Sequence, residues 1–326
     1  MKPLVLHAGL QKTGTSGIQL MLNGAGPALA RAGHVYPALP DGAGGAVGAG
    51  PFRHNCIAGS FADYPSEFAR LCPEALQDLR KTLLRSESVP ILSAEEFSRQ
   101  RDFGPLGAFL EGFAVHVVLY LRPQDRFAEA LYNQRNKILL RRRSERLLDP
   151  DLGRAAGLHR FLAEEGYGRI LDAQGLVQRI EEGLRPARLT LRLYTPEALR
   201  GGDACRDFLD VVGVPEQGVT LPGHATNRNV ANRHFAHIRR TLRARGPEAA
   251  QALVDALAAR LEAGDDLSGS HALLRRDDRA RLLGVYRSGN RALERRFGLS
   301  PIGTTPRHIL PAPAAPQVRA AGAGGA

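Results

Sequence analysis

The residues best placed to do chemistry stand near the start of the chain. Lys2-Pro3-Leu4-Val5-Leu6-His7-Ala8-Gly9-Leu10-Gln11-Lys12-Thr13-Gly14-Thr15-Ser16 is an apolar strand that breaks into a glycine-, lysine- and hydroxyl-bearing turn before an expected helix. That layout captures anions. The first turn of a helix has backbone N–H groups with no intrahelical partner and a positive dipole end, and Lys12 adds a full charge. Gly9 and Gly14 allow close approach of backbone to ligand, and Thr13, Thr15 and Ser16 offer further donors. Nucleoside triphosphatases place their lysine directly after the second glycine of the loop, whereas Lys12 precedes Gly14 by two residues.

A second cation, Arg122, follows the apolar run Val115-His116-Val117-Val118-Leu119-Tyr120-Leu121, where a guanidinium can clamp a phosphate in a fork. Glu95 closes another apolar run, Val89 to Ser93, and is a candidate general base; a first-turn acid that stabilises the next helix would look the same. His54 is the rival base. His7, at the end of the first strand, is read as packing or orienting a group near the loop. Lys137 and Arg291 are weaker anion contacts.

The elements that must carry these residues alternate. Strands are expected at Leu4 to His7, Val89 to Leu92, Val115 to Leu121 and Arg188 to Tyr194. Helices are expected through Ile18 to Leu22, over Glu67 to Arg85, from about Asp125 to Arg142 and over Leu176 to Leu184. Such βαβ units make an α/β fold with a parallel sheet flanked by helices and ligands at the carboxyl ends of its strands. After Asn227 the pattern is helical only, at His234 to Arg245, Glu248 to Leu261 and Asp277 to Phe297, and these are expected to pack on the sheet as a helical subregion. The reading is one domain over residues 1–310, helical over 229–300, then a disordered 311–326 tail. Ala38 to Gly50 is mostly Gly, Ala and Pro and reads as a mobile loop, either a neutral insertion or a lid.

Composition narrows the partners. The 326 residues carry a net charge of +11, and their positive charge is written almost wholly as arginine, with four lysines against forty arginines. A lysine inside the turn therefore stands out. The arginines are scattered, aromatics are few, and no basic-aromatic motif is present, so a small anion or glycan explains the charge as well as nucleic acid does. Three cysteines without metal or redox spacing argue against a disulfide framework. No stretch approaches the length of a membrane span, and the run after Lys2-Pro3 is too short for a signal core. A cytoplasmic protein is expected.

Taken together, the Lys12 loop and Arg122 resemble the nucleotide site of the sulfotransferases that use 3′-phosphoadenosine 5′-phosphosulfate (PAPS). The chain is similar to bacterial members that open with a His-x-Gly-x-x-Lys-Thr-Gly-Thr loop. Ser93-Ala94-Glu95 and Ser288-Gly289-Asn290-Arg291 resemble further segments of that branch. The resemblance implies a P-loop-type fold, PAPS as co-substrate and no metal. It implies that Lys12 stabilises the leaving oxygen, that Thr13, Gly14, Thr15 and Ser16 hold the 5′-phosphate, and that Arg122 holds the 3′-phosphate. Where the family has a serine that helps hold the 3′-phosphate, this chain has Ala130. The acceptor would be a hydroxyl or amine, a glycan among the candidates. Glutamate and histidine bases both occur in the family, which leaves Glu95 and His54 open. A P-loop kinase or NTPase and a non-catalytic nucleotide-binding protein are the competing readings.

Overall fold

The structure is a computed structural model that describes residues 1–39, 52, 54–64, 66, 68–164, 168–222 and 229–303. Five strands, β1 (Lys2–Ala8), β2 (His34–Val35), β3 (Val89–Ala94), β4 (Phe113–Leu121) and β5 (Arg188–Leu193), form an all-parallel sheet in the order β2-β3-β1-β4-β5. The register sets Val5 beside Ile91 and His116, and Leu119 beside Leu191. The fold is α/β, with helices on both faces.

Period-two alternation explains the two faces. Leu4, Leu6, Val117 and Leu119 point to one side, into a core with Phe127, Leu131, Leu176 and Ile180 of the helices Gln124–Arg141 and Ala173–Leu184. Val5, Val118 and Tyr120 point to the other, against Ile18, Leu22, Phe208 and Leu209 of the helices Thr15–Gly24 and Ala204–Val212. Burial on both faces is why these strands are almost continuously apolar.

The strand order matters for the site. From β1 the chain leaves towards β3 and β2, and from β4 it leaves towards β5, so the connections diverge between two neighbouring strands. In open parallel sheets a crevice opens at that divergence, beyond the carboxyl ends of the strands. The Lys12 loop follows β1, and Arg122 follows β4.

Three expectations are corrected. The Glu67 to Arg85 helix begins only at Pro73, because Cys72 is extended (φ −69°, ψ 160°), as a residue before proline prefers. The Asp277 to Phe297 stretch is two helices, Arg276–Val285 and Arg287–Phe297, divided at Tyr286 (φ −101°, ψ 8°). The C-terminal helices pack mainly on the helix layer and not on the sheet itself: Phe235 and Ile238 of Asn232–Glu262 meet Leu139 and Leu140 at the end of Gln124–Arg141. That layer is pinned by polar clamps. The Gln124 and Asn290 amides bond reciprocally (2.8 and 3.0 Å), and Arg279 reaches both Asp125 (2.6 Å) and Glu129 (2.8 Å). The break expected between Arg245 and Glu248 is present, at Gly246-Pro247 inside Asn232–Glu262.

Residues 40–50 of the proposed lid and the whole 311–326 tail lie outside the described residues. Among the described residues no helix is long and apolar enough to cross a membrane. Cys56, Cys72 and Cys205 are all free thiols.

Candidate functional site

The turn after β1 is held from behind. Thr13 and Thr15 both donate their hydroxyls to the Leu10 carbonyl (2.6 and 3.2 Å), Gly9 N–H donates to Ala94 O (3.1 Å), and Ser98 Oγ donates to Gly9 O (2.9 Å). A Cβ at Gly9 would fall 2.2 Å from Thr15 Oγ1, so the glycine there makes room for the threonine and not for a ligand. Gly9 and Thr13 thus shape the turn without lining the cleft in front of it. Gly14, at φ 81°, is the residue before the helix, and a Cβ there would meet Ala204 and Tyr194. Lys12 also takes a left-handed conformation (φ 62°), a sparsely populated region for a residue with a side chain.

Helix Thr15–Gly24 begins with no side-chain cap and no acid in its first turn. Its positive end is left for something else. In front of it lies a cleft of about 430 Å³ whose walls include Lys12, Gly14, Thr15, Ser16, Glu95, Arg122 and Ala130. This volume lies in the range of small-molecule sites, roughly 300–1,000 Å³. Of the ten residues of the loop, the two 3′-phosphate positions and the two candidate bases, seven converge on one cleft, from three strand ends and the helix after β4. Gly9, Thr13 and His54 do not line it.

Among the described residues, Lys12 and Arg122 are the cations that line this space. Lys12 Nζ donates to Gln134 Oε1 (2.6 Å), and its pKa is lowered by burial first, with Glu95 opposing and Arg122 adding to the fall. Arg122 Nη1 donates to the Lys12 carbonyl (2.8 Å), and its guanidinium lies 5.8 Å from the centre of the Tyr194 ring. Burial also lowers the Arg122 pKa, from a value so high that the group stays charged. Among the described residues neither cation has a carboxylate within ion-pair distance. Burying charge in this way is costly unless an anion offsets it.

The two histidines flagged in the sequence are structural. His54 is fully buried; its Nδ1 accepts from Ser93 N–H (3.1 Å), which leaves Nε2–H to donate to Pro37 O (2.9 Å). Both nitrogens are committed, which removes the lone pair a base needs. His7 is equally buried between the Tyr120 and Phe208 rings, with Nδ1 at 2.8 Å from Ser93 Oγ, and burial drives its pKa down to about 3. Glu95 is half-buried at the cleft wall. Arg291 is exposed and lies off the cleft, and Asn290 beside it serves the Gln124 clamp. Lys137 is buried near Lys12, with a pKa lowered to about 8 by burial and by the neighbouring charges of Arg141 and Lys12.

Other cleft residues were not legible in the sequence. Asn229 Nδ2 donates to Gly269 O (2.8 Å) and lies 2.6 Å from His271 Nδ1, close enough to Arg122 for the guanidinium to depress the His271 pKa alongside burial. Asn133 and Gln134 stand one helical turn beyond Ala130. Cys205 also lines the cleft, but burial raises its pKa to about 12, so its thiol is inert as a nucleophile. No family model, no curated protein and no solved structure matches this chain.

Proposed function

We propose that the protein is a P-loop-type sulfotransferase that moves a sulfuryl group from PAPS to an acceptor hydroxyl or amine. The observation that carries this reading is the convergence of Lys12 and Arg122, two partly buried cations that have no carboxylate partner among the described residues, on one cleft at the uncapped start of helix Thr15–Gly24. A ligand with two separated anionic groups fits that pair, and a phosphosulfate donor with a 3′-phosphate has them.

The donor supplies an SO₃ group on a good leaving group. Gly14, Thr15 and Ser16 hold the 5′-phosphate with backbone N–H groups at the positive helix end. Arg122 takes the 3′-phosphate, and the polar wall formed by Asn133, Asn229 and His271 stands where Ala130 offers no hydroxyl. As the acceptor oxygen bonds to sulfur and the bond from sulfur to the phosphate oxygen breaks, Lys12 stabilises the electron pair left on that phosphate oxygen. Glu95 takes the acceptor proton, a role that the buried and doubly bonded His54 cannot fill.

Calorimetry separates the readings. 3′-Phosphoadenosine 5′-phosphate should bind without magnesium and weaken strongly in Arg122→Ala; tight binding of magnesium–ATP with none of the bisphosphate overturns the proposal in favour of a kinase or NTPase. Transfer of labelled sulfate should fall sharply in Glu95→Gln while bisphosphate affinity holds. Full activity in that variant would remove Glu95 as base. Binding without transfer to any of a panel of polysaccharide, phenolic and lipid-linked acceptors would leave a non-catalytic nucleotide-binding protein.

A further inference from the structure

A second cavity, of about 270 Å³, is lined by residues that neighbour Lys12 and Glu95 along the chain. Leu10 and Gln11 line it from the turn, and Ser98 and Arg99 line it from the short helix that follows Glu95. The two cavities therefore share both segments that hold the reacting groups. This second one is dominated by arginine: Arg99, Arg101, Arg169 and Arg179 all face it.

These four charges are not equally answered. Arg99 is neutralised, since it pairs with Glu96 (2.8 Å) and stacks over Tyr64 at 4.7 Å, while Tyr64 donates to the same carboxylate. Among the described residues, the other three side chains make no hydrogen bond or ion pair, and Arg179 Nε is buried without a partner. Asp172 is the acid whose charge acts on Arg179, but its carboxylate already caps helix Ala173–Leu184 through Gly175 N–H (3.0 Å), and Arg169 repels Arg179. Asp63 accepts the backbone N–H of Arg101, not its guanidinium. A buried guanidinium donor without an acceptor is destabilising, and forked donors around one small space match the oxygens of an oxyanion.

We infer that this cavity binds a negatively charged oxyacid group, a sulfate, phosphate or carboxylate, on the acceptor, and that the acceptor is therefore an anionic molecule. The site as an anion pocket stands on its own residues; its role in acceptor binding rests on the sulfuryl-transfer reading. An acceptor anchored by its anionic group beyond Gln11 would present a neighbouring hydroxyl at the Lys12–Glu95 edge. Neutral acceptors would lack that anchor.

The test is calorimetry on the full chain with glucose 6-sulfate, glucose 6-phosphate, glucuronate and glucose, with and without saturating 3′-phosphoadenosine 5′-phosphate. At least one anionic sugar should bind in both conditions, and glucose should not; which one binds identifies the oxyacid. Arg169→Ala combined with Arg179→Ala should weaken that binding by about tenfold or more, and leave bisphosphate affinity unchanged. Arg101→Ala with Arg169→Ala, both at exposed positions, should weaken it in the same direction in a chain whose circular dichroism and melting are unaltered. Arg122→Ala should leave sugar binding intact. The inference is overturned if no anionic sugar binds, if the bisphosphate displaces it, or if the arginine substitutions have no effect. Loss of bisphosphate binding with anionic-sugar binding retained would overturn the sulfuryl-transfer reading and leave the anion pocket standing.

Discussion

Two half-buried arginines, Arg192 and Arg279, are closed by carboxylates, whereas among the described residues the two cations of the cleft, Lys12 and Arg122, are not. At the outer edge of the sheet, Arg192 is closed by Asp207, which also accepts from Tyr120 Oη (3.0 Å) and from Arg200 N–H (3.0 Å). In the C-terminal layer, Arg279 is closed by Asp125 and Glu129, and Glu129 further takes the N–H groups of Leu273 and Leu274. Each ties its guanidinium to buried carboxylates in a network whose product is rigidity, although Asp125 Oδ1 in the second is left buried without a partner. Beyond β1 and β4, Lys12 and Arg122 are instead held by a side-chain amide and a backbone carbonyl, which position them without cancelling their charge. Among the described residues no carboxylate stands within ion-pairing distance of either cation, and that is where an anionic ligand gains most.

Substitution at the two kinds of site should break different properties. Lys12→Ala should reduce sulfuryl transfer by about 10²–10³, the usual cost of losing one preorganised stabiliser of developing charge, with little change in melting. Steady-state transfer from labelled donor, read beside thermal unfolding, checks both halves; full activity would end the assignment of Lys12. Asp207→Ala should do the reverse. It strands Arg192 and the Tyr120 hydroxyl in a buried setting, at a cost of about 3 kcal/mol measured by urea unfolding. Bisphosphate affinity in that variant should stay near the parent value wherever the protein remains folded. An equal loss of both properties would show that the two networks are coupled and that the division drawn between them is false.

The legible part of this architecture was the part that periodicity and strand ends control. Apolar runs gave β1, β3 and β4, alternation gave β5, and the residues that leave the first three gave Lys12, Glu95 and Arg122. Missing were elements too short to show a period, such as the two-residue β2 and helix His54–Ser60. Asn229 and His271 were illegible for another reason: they reach the cleft only because the C-terminal segments fold back over helix Gln124–Arg141, a tertiary fact with no local signature. His54 misled because a histidine after a glycine-rich stretch says nothing of whether its nitrogens face solvent or, as here, backbone. Gly9 misled similarly, since a glycine that admits a neighbour's side chain reads the same as one that admits a phosphate.

The closed regions also contain a group that reports on packing through pH. Folded His7 titrates at about 3, whereas in the unfolded chain it returns to the ordinary value near 6.5. Between those values the unfolded chain holds the extra proton, so stability is complete above pH 6.5 and falls as pH drops towards 3. From pH 7 to pH 5 this one residue should cost about 2 kcal/mol, with half-buried His116, whose pKa is lowered to about 4, adding in the same direction. Urea unfolding across that range should show the loss. His7→Asn, which keeps a hydrogen-bonding group for Ser93 Oγ, should be less stable at pH 7 and show a flatter profile. An unchanged slope would mean that His7 is not the group responsible.

The smallest expected effect bears on the open cleft most directly. Ala130 lines its wall with almost no exposure, one turn of helix before Asn133 and Gln134. A hydroxyl added there can turn inwards to a phosphate oxygen or back to the carbonyl of Arg126, four residues earlier, as serines in helices do. If Ala130 stands beside the 3′-phosphate, Ala130→Ser gains one net hydrogen bond, about 0.5–1.5 kcal/mol, or roughly two- to tenfold in affinity. The gain should appear for 3′-phosphoadenosine 5′-phosphate and be absent for adenosine 5′-phosphate, which lacks only the group in question. Equal tightening of both ligands would move the 3′-phosphate away from this helix, and no tightening of either would mean that the cleft already supplies its full set of donors through Arg122 and the Asn133–His271 wall.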